Sequence, residues 1–455
     1  MLEKTLELLK QRNYSALRAF LSELNPADIA AILSEVDEAS IPLIFRILPK
    51  ELAAESFAYM DSDLQQILIQ SFSDKELHDV IEQLYVDDTV DMIEEMPANV
   101  VKRILRHTDP QTRRSINEIL QYPDDSAGSI MTIEYVDLKK YMTVADAFAR
   151  IRKTGIDKET IYTCYVTDKN RHLLGIVTVK DLFLNDDNAL IGDIMETNPI
   201  SVDTHEDRET VANLFNKYDF LALPVVDKEN RLVGIITVDD AMDVLAEEAS
   251  EDFAKMSAIA PTDEGYFKTS VFKHAKNRII WLLFLMLSAT ITGAILTKYE
   301  ALFSAIPLLV AFIPQLMDTG GNTGSQSSTT VIRGLATEEM KLKDLFKVLK
   351  KELSVALVVG VTLAIVNSVR IIIMYYNTDI GDNSIYMLAA VTGLTLIGTI
   401  VVSELLGCLL PMLAKKLKLD PALMASPLIT TMVDACAILL YFTIAGNMLN
   451  IPGVS

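Results

Sequence analysis

The feature that most constrains this chain is a change near residue 277, after which long apolar runs follow one another. A helix of about 20 apolar residues spans the roughly 30 Å hydrocarbon core of a membrane. Five runs approach or exceed that length, at about 279–297, 302–330, 353–375, 386–412 and 426–449. They predict an α-helical transmembrane domain with five spans over residues 277–455.

Basic residues flank these runs unevenly. They precede the first run and separate the second from the third and the fourth from the fifth, whereas YYNTDIGDNS and NMLNIPGVS contain none. Because Lys and Arg are enriched on the cytoplasmic side of membrane helices, we expect a cytoplasmic N-terminus and a C-terminus outside. The first residues, MLEKTLELLKQR, lack the apolar stretch of a signal peptide.

The part of the chain before these runs is strongly acidic. Of the 62 acidic residues, 49 precede residue 261, as do 26 of the 41 basic residues. The net charge is therefore near −23 before residue 261 and near +2 after it. Nucleic acid phosphates require a basic surface, so we expect no nucleic acid partner. The three cysteines form no CxxC pair and indicate neither a disulfide framework nor a zinc site. An acidic surface favours cations, or simply solubility.

Residues 1–125 have helical periodicity with start signals at a regular interval. NPADIAAIL, LPKELAAESF, SDKELHDVIEQL and MPANVVKRIL begin about every 23 or 24 residues, and each has a proline near its start or, at Ser73 and Glu76, a capping box. The interval predicts an all-α superhelical domain of stacked helix pairs, with an ordinary helical bundle as the alternative.

Residues 126–250 alternate strands with helices and repeat internally. GIVTVKD at 175–181 and GIITVDD at 234–240 occupy equivalent places in two copies, about 126–190 and 191–250. This duplication resembles a tandem α+β pair of cystathionine-β-synthase-like (CBS) domains, a family that binds adenine nucleotides such as ATP. Thr178 and Asp181 lie at a strand-to-helix turn, where their side chains could bind the hydroxyl groups of a ribose while the helix N-terminus approaches a phosphate. The alternative is that they form an ordinary helix cap. Lys180 and Phe220 are further nucleotide-binding candidates.

A polar segment, PQLMDTGGNTGSQ at 314–326, interrupts the second apolar run. It contains Asp318 and Asn322, and Asp434 lies in the last run. Polar groups that face lipid are costly, so these side chains should face a bundle interior or a pore. Pro314 and the glycines should loosen the helix and free carbonyl groups, although close helix packing is the alternative for the glycines. Oxygen ligands of this kind suit a hard cation such as Mg²⁺.

The polar segment, DPALMASPLITTMVD at 420–434, the five runs and the helical and CBS regions together resemble the MgtE family of magnesium channels over essentially the whole chain. The resemblance implies a non-enzymatic, Mg²⁺-selective and Mg²⁺-gated channel for uptake across the lipid bilayer of the bacterial cell (inner) membrane. It also implies a homodimer with a pore on its two-fold axis, where Asp434 holds hydrated Mg²⁺. Asp318 and Asn322 are further pore candidates.

The resemblance further implies that cytoplasmic carboxylates sense cations. Without Mg²⁺ they repel and the domains separate, whereas bound Mg²⁺ bridges them and closes the pore through a connecting plug helix at 251–276. A solvated acidic helix face is the alternative for the plug region. The implied regulatory ligands are Glu55, Asp87 and Asp91 in the helical domain, Asp207, Glu209, Asp219, Asp240 and Asp243 in the second CBS copy, Glu248, Glu251 and Asp252 with the plug helix, and Asp420 beside the membrane.

Three other functions stay open at this point. A divalent-cation exchanger would need proton-coupling carboxylates, for which Asp318, Glu404 and Asp434 are the visible membrane candidates. A Mg²⁺ sensor that transports nothing is the second. A nucleotide-regulated membrane enzyme is disfavoured, because the sequence has five histidines, no GxxxxGK[ST] loop and no evident nucleophile–base pair. Residue types do not specify selectivity among Mg²⁺, Mn²⁺, Co²⁺ and Ca²⁺.

Overall fold

The structure is a computed structural model that describes residues 1–262, 266–267, 269–337, 339–378, 384–424 and 426–449, without the side chains of residues 157, 301, 303 and 426. Its internal contacts divide the chain into two units, Met1–Ala246 and Glu247–Ser455. The first unit contains the helical and CBS regions, and the second contains the apolar runs.

Helices stack in two rows at the start of the first unit. They are α1 (Leu2–Lys10), α2 (Tyr14–Leu21), α3 (Pro26–Glu35), α4 (Ile41–Ile47), α5 (Lys50–Ala58), α6 (Ser62–Ser71), α7 (Asp74–Ile81), α8 (Val86–Glu95), α9 (Ala98–His107) and α10 (Pro110–Ile119). The starts of α3, α5, α7 and α9 are about 24 residues apart, as the sequence interval predicts. In one row α3, α5, α7 and α9 pack in succession, and in the other α4, α6, α8 and α10 do so.

The first CBS copy contains β1 (Asp137–Leu138), α11 (Val144–Thr154), β2 (Thr163–Thr167), β3 (Leu173–Thr178), α12 (Val179–Leu184), α13 (Ile191–Ile194) and β4 (Glu196–Thr197). The second contains β5 (Val202–Asp203), α14 (Arg208–Tyr218), β6 (Ala222–Val226), β7 (Leu232–Thr237) and the start of α15 (Val238–Met256). The sheets have the orders β1-β2-β3-β4 and β5-β6-β7. In each sheet the first pair is parallel and the other pairs are antiparallel.

Backbone hydrogen bonds join the two copies. Thr132, which precedes the first sheet, exchanges two bonds of 2.8 Å with Ile235 in the second copy. Leu173 N–H donates to the carbonyl of Asn230, and Leu232 N–H donates to that of Arg171. These bonds join the start of β3 to the start of β7, and the segment before β1 to the middle of β7.

The second unit is helical. It contains α16 (Val271–Lys298), α17 (Glu300–Ala305), α18 (Ile313–Ala336), α19 (Leu345–Tyr375), α20 (Ile385–Lys416) and α21 (Ser426–Met448). Short 3₁₀ helices cover Pro307–Phe312, Leu342–Asp344 and Pro421–Met424. Within the described residues, four helical segments are long and apolar enough to cross a membrane, at Val271–Lys298, Leu342–Tyr375, Ile385–Lys416 and Pro421–Met448. The second predicted run instead contains α17, a 3₁₀ helix and α18, whose polar residues lower its hydropathy.

Two local expectations differ from the structure. Pro314 lies in the first turn of α18, where a missing N–H costs little, and the helix continues through Gly320, Gly321 and Gly324. The prediction that this segment is loosened was therefore wrong. A separate plug helix over 251–276 is also absent from the described residues: α15 continues from the second CBS copy to Met256, and Ala258 then adopts a positive φ of 55°.

Candidate functional site

The polar segment of the second apolar run forms two different faces of α18. Asp318, Asn322 and Gln326 are exposed and recur every four residues, which aligns them along one face of a helix. The opposite face is buried and small, with Gly320, Gly321, Gly324, Ser327 and Ser328. The sequence therefore combines a polar stripe with a packing surface in a single helix.

The packing surface brings α18 against α20 and α21. A Cβ atom at Gly320 would lie 2.6 Å from Thr399 Cγ2 and 2.7 Å from Val433 Cγ1, so only glycine fits there without a shift of its neighbours. Close packing is thus the role of this glycine, and it places the backbone of α18 beside Asp434, the residue after Val433.

Asp434 is half-buried on α21, and its Oδ1 atom is buried without a hydrogen-bond partner among the described residues. The negative charge of Asp318 acts on it across the two helices. A carboxylate oxygen that is removed from water and lacks a donor favours a bound cation or proton. The two predicted pore carboxylates therefore lie close together, whereas Asn322 lies one turn along α18 from Asp318.

A second group of carboxylates, which we call the acidic cluster, lies in the first unit and comprises Asp87, Asp88, Glu134, Glu159, Asp239 and Asp240. Asp87 is 7% exposed, and its Oδ1 atom has no partner in the described chain. A bond from Glu159 N–H to the Glu134 carbonyl, 2.9 Å long, joins the two segments from the first CBS copy. Tyr85 Oη donates to the Lys158 carbonyl at 3.4 Å and holds the start of α8 beside them.

Burial and mutual repulsion raise the pKa values of the acidic cluster. Loss of solvation and the nearby Asp88 charge raise the pKa of Glu159 to about 8. Burial, opposed by a hydrogen bond from Thr237 and reinforced by Asp239, raises the pKa of Asp240 to about 7. Burial and the Asp239 charge raise that of Asp88 to about 6. Since the charges that act most strongly here are carboxylates, the cluster is stabilised by protons or by a cation.

Sequence reasoning named only part of the acidic cluster. Asp87 and Asp240 were predicted and do come together. Asp88 and Asp239 were missed, although each belongs to a Val-Asp-Asp triplet at a helix start, a signal the sequence offers. Glu134 and Glu159 are isolated acidic residues that no local pattern distinguishes.

The other ligands predicted for the first unit are exposed. Asp91 and Asp243 lie one turn beyond Asp87 and Asp240 on α8 and α15. Asp207 is the N-cap of α14 and accepts a hydrogen bond of 2.9 Å from Thr210 N–H. The remaining three are Glu55 on α5, Glu209 in the first turn of α14, and Asp219, which ends α14 with a positive φ of 55°.

In the second unit, Lys255 occupies the position that a metal was expected to take. Its Nζ atom lies 2.7 Å from Glu251 Oε1 and 2.7 Å from Asp420 Oδ2. Burial lowers the pKa of Lys255, but these two carboxylates raise that pKa overall. Partial burial and the Asp420 charge raise the pKa of the neighbouring Asp252. Glu248 is half-buried one turn earlier on α15.

The predicted nucleotide turn is a helix cap. Thr178 Oγ1 donates to Asp181 Oδ2 at 2.6 Å, and the backbone N–H of each residue donates to the side chain of the other. Lys180 is exposed, and Phe220 stacks on Tyr218 with ring centroids 5.4 Å apart. A cavity of about 400 Å³ adjoins α12, with Arg152 and Asp187 among its polar lining residues. The cap interpretation therefore has direct geometric support.

Among the residues that the structure describes, no group of three or more His, Cys, Asp or Glu side chains has the arrangement of a formed metal site. The acidic cluster is thus a concentration of negative charge and not a preformed coordination sphere.

Comparison with known proteins covers both units. A sequence profile described as a divalent cation transporter (MgtE) matches residues 313–444, that of the MgtE intracellular N domain matches 24–125, and that of the CBS domain matches 127–186 and 191–247. The magnesium transporter MgtE of Thermus thermophilus is 35% identical over 98% of this chain and 97% of the relative. That of Bacillus subtilis is 30% identical over 96% and 95%.

A solved structure supports the same relationship. The crystal structure of the cytosolic domain of the Mg²⁺ channel MgtE in complex with ATP is 35% identical and covers 54% of this chain and 100% of that chain, with a TM-score of 0.51. With relatives matched along nearly their whole length, this chain belongs to the MgtE family of magnesium transporters, which are transport proteins and not enzymes.

Proposed function

We propose that the chain is a Mg²⁺-selective channel for magnesium uptake that Mg²⁺ itself closes from the cytoplasmic side. The observation that carries this proposal is the pair formed by Asp434 and Asp318 on adjacent helices, with a buried Asp434 oxygen that has no partner in the described residues. The names of the relatives support Mg²⁺ as the transported ion.

The polar stripe of α18 supports a pore made by two copies of the chain. Asp318, Asn322 and Gln326 are exposed in a single copy, and side chains of this kind are costly against lipid. A homodimer in which α18 and α21 face the two-fold axis would surround the stripe with water and place two Asp434 carboxylates near each other. This arrangement makes α18 the second of five spans despite its polarity.

The oxygen-bearing side chains of the polar stripe suit Mg²⁺ as the transported ion. Carboxylate and amide oxygens suit Mg²⁺, which sheds its waters reluctantly and is held by a few ligands in proteins. Passage of a partly hydrated ion would require a wide, polar path with few direct contacts, as the exposed face of α18 offers.

The acidic cluster supports gating by cytoplasmic Mg²⁺. A cation bound near Asp87 and Asp240 would relieve repulsion that otherwise favours separation of α8 from α15. Since α15 continues past Ala246 to Met256, movement of its first half would be transmitted along one helix into the connecting segment 251–276. A shift from 1:99 to 99:1 needs about 5.5 kcal/mol of differential binding, which several weak cation sites could supply together.

The remaining proposals follow the flanking charges and the CBS pair. The distribution of Lys and Arg supports a bacterial cell-membrane protein with its N-terminus in the cytoplasm and its C-terminus outside. The ATP in the related cytosolic structure supports an adenine nucleotide as a regulatory ligand, near the Thr178–Asp181 turn. The domain organisation accordingly comprises residues 1–125, 126–250, a connecting segment 251–276 and a pore domain 277–455.

Electrical recording separates a channel from an exchanger. In membrane patches that contain the protein, a channel gives Mg²⁺ currents that reverse at the Mg²⁺ equilibrium potential at every pH. A reversal potential that moves with the proton gradient would replace the channel by a coupled exchanger, and the absence of any current or Mg²⁺ flux would favour a sensor.

A further inference from the structure

A buried carboxylate in the second unit takes no part in the proposed ion path. Glu404 lies in the middle of α20 and is 3% exposed, and its Oε2 atom has no hydrogen-bond partner among the described residues. An ionised carboxylate in such surroundings is strongly destabilised unless a proton or a cation is bound.

Glu404 faces a second carboxylate, Glu352 on α19. Ser327 Oγ on α18 donates to Glu352 Oε2 at 2.6 Å and also lies 3.1 Å from the Glu404 carbonyl oxygen, so one hydroxyl joins three helices. Among the described residues, the charge that acts on Glu404 is the negative charge of Glu352. Both carboxylates also act on the thiol of Cys408, which lies one turn along α20.

Helix packing beside Glu404 leaves little space for a hydrated metal ion. A Cβ atom at Gly407 would lie 2.5 Å from the Gly324 carbonyl oxygen and 2.9 Å from Ser327 Cβ, so the backbones of α18 and α20 are in direct contact there. Mg²⁺ in proteins usually keeps several waters, which need space around the ion. A proton needs none.

We propose that Glu352 and Glu404 form a binding site for one proton, which Glu404 carries as the acid while Glu352 accepts the Ser327 hydroxyl. Loss of that proton leaves two carboxylates facing each other between α19 and α20. The neighbouring Ser403 hydroxyl donates to the Gly320 carbonyl, so repulsion at Glu404 acts on the contact that positions the polar stripe of α18. The site does not depend on the proposed transport function.

Infrared spectroscopy tests the proton directly. The full chain is reconstituted in lipid vesicles without divalent cations, and the carbonyl stretch of protonated carboxyl groups is followed as the pH is raised. We expect the parent spectrum minus that of Glu404→Gln to contain one such band at neutral pH, which disappears at alkaline pH. Asp434→Asn is the matched control and keeps the band.

Two further variants test the assigned roles. Ser327→Ala removes the hydroxyl that donates to Glu352 and so destabilises the deprotonated pair, which should hold its proton to a higher pH. Glu404→Asp keeps a carboxyl group and should retain a shifted band, which guards against a folding defect in the glutamine variant. Identical parent and Glu404→Gln spectra at every pH would overturn the proposal, as would a band that Mg²⁺ abolishes at constant pH.

Transport provides a second readout. In vesicles, Mg²⁺ uptake should change less with pH in Glu404→Gln than in the parent, because the glutamine mimics the protonated acid and leaves only the pH response of the acidic cluster. A pH dependence of the same size in Glu404→Gln and in the parent contradicts a functional role for the proton. Absence of uptake in the parent contradicts the transport proposal and leaves the infrared result unaffected.

Discussion

The acidic cluster and the Asp318–Asp434 pair use the same chemical group in two different settings. In the cluster, carboxylates come from α8, α15 and two segments of the first CBS copy, so they approach only because separate elements pack together. In the pair, the carboxylates lie on α18 and α21, whose contact is fixed by the close approach of Gly320 to Val433.

The difference concerns what a bound cation can change. Elements that meet through repelling carboxylates can separate, so a cation there acts on a conformational equilibrium. Helices in contact through glycine have no such freedom, so a cation between them is bound and released without a large rearrangement. The proposal therefore assigns the sensor to the cluster and the ion path to the pair.

The largest expected effect comes from removing charge from the cluster. The double variant Asp87→Asn/Asp240→Asn should flatten the dependence of channel closure on internal Mg²⁺, because it removes both the repulsion and two ligands. We expect the ratio of open probability between low and high Mg²⁺ to fall at least tenfold, or about 1.4 kcal/mol of coupling. Patch recordings across internal Mg²⁺ concentrations measure this.

The internal repeat supplies the control for that variant. Asp181 stands where Asp240 stands in the other copy and caps α12, but it is not part of the acidic cluster. In recordings without nucleotide, Asp181→Asn should therefore leave the Mg²⁺ dependence as in the parent. An equal change in both variants would show that a helix cap, and not the charge cluster, controls closure.

Proton binding should partly replace the cation. Because Asp88, Asp240 and Glu159 have pKa values of about 6, 7 and 8, above the ordinary values of about 4, the compact form binds more protons than the separated form. Its stability is therefore greatest at acidic pH and declines as pH rises from about 4 to about 8. Limited proteolysis of the full chain without divalent cations should be faster at pH 8 than at pH 6.

Mg²⁺ should remove most of the difference in cleavage rate between the two pH values, since the cation then occupies the acidic cluster. The Asp87→Asn/Asp240→Asn variant should also show less of it. Equal cleavage rates of the parent at both pH values would argue that the cluster does not oppose the compact form.

A smaller effect is expected at Lys255, whose ammonium group forms ion pairs with Glu251 and Asp420. Lys255→Met leaves those carboxylates unbalanced, so contact between the end of α15 and the segment before α21 should come to depend on divalent cations. We expect a few-fold higher open probability at low internal Mg²⁺, restored by Lys255→Arg. An unchanged open probability would make this ion pair irrelevant to gating.

The smallest expected effect tests the cap at the first CBS turn. Asp181→Ala removes the N3 member of the Thr178 capping box and should cost about 0.3–1.5 kcal/mol of stability, measured by thermal unfolding beside the equivalent capping-box variant Asp146→Ala. Calorimetric titration with ATP then separates the two interpretations of the turn. Weaker ATP binding in Asp181→Ala alone supports a nucleotide contact, whereas equal binding in both leaves only the cap.

Regular features of the sequence predicted much of the fold. The 24-residue interval of helix starts, the GIVTVKD and GIITVDD duplication and the apolar runs each depend on local periodicity or composition, which also determine the observed elements. Pro314 was misinterpreted because its effect depends on its position in the helix, and the start of α18 was not evident from an apolar run with no clear boundary.

Convergence of side chains was harder to predict. Family resemblance named Asp87 and Asp240 as ligands but did not pair them, and Glu134 and Glu159 join the cluster only through the packing of segments that are distant in sequence. Likewise, the Lys255 ion pairs depend on where residue 420 lies in space. Local patterns contain no information on such distances.

The most direct test of the account is Mg²⁺ uptake into proteoliposomes by the parent and by Asp434→Ala, with Asp146→Ala as a control at a helix cap distant in sequence. The account predicts uptake by the parent and by the control, and loss of uptake in Asp434→Ala with the folded protein still present. Equal uptake by all three proteins would contradict an ion path at Asp434.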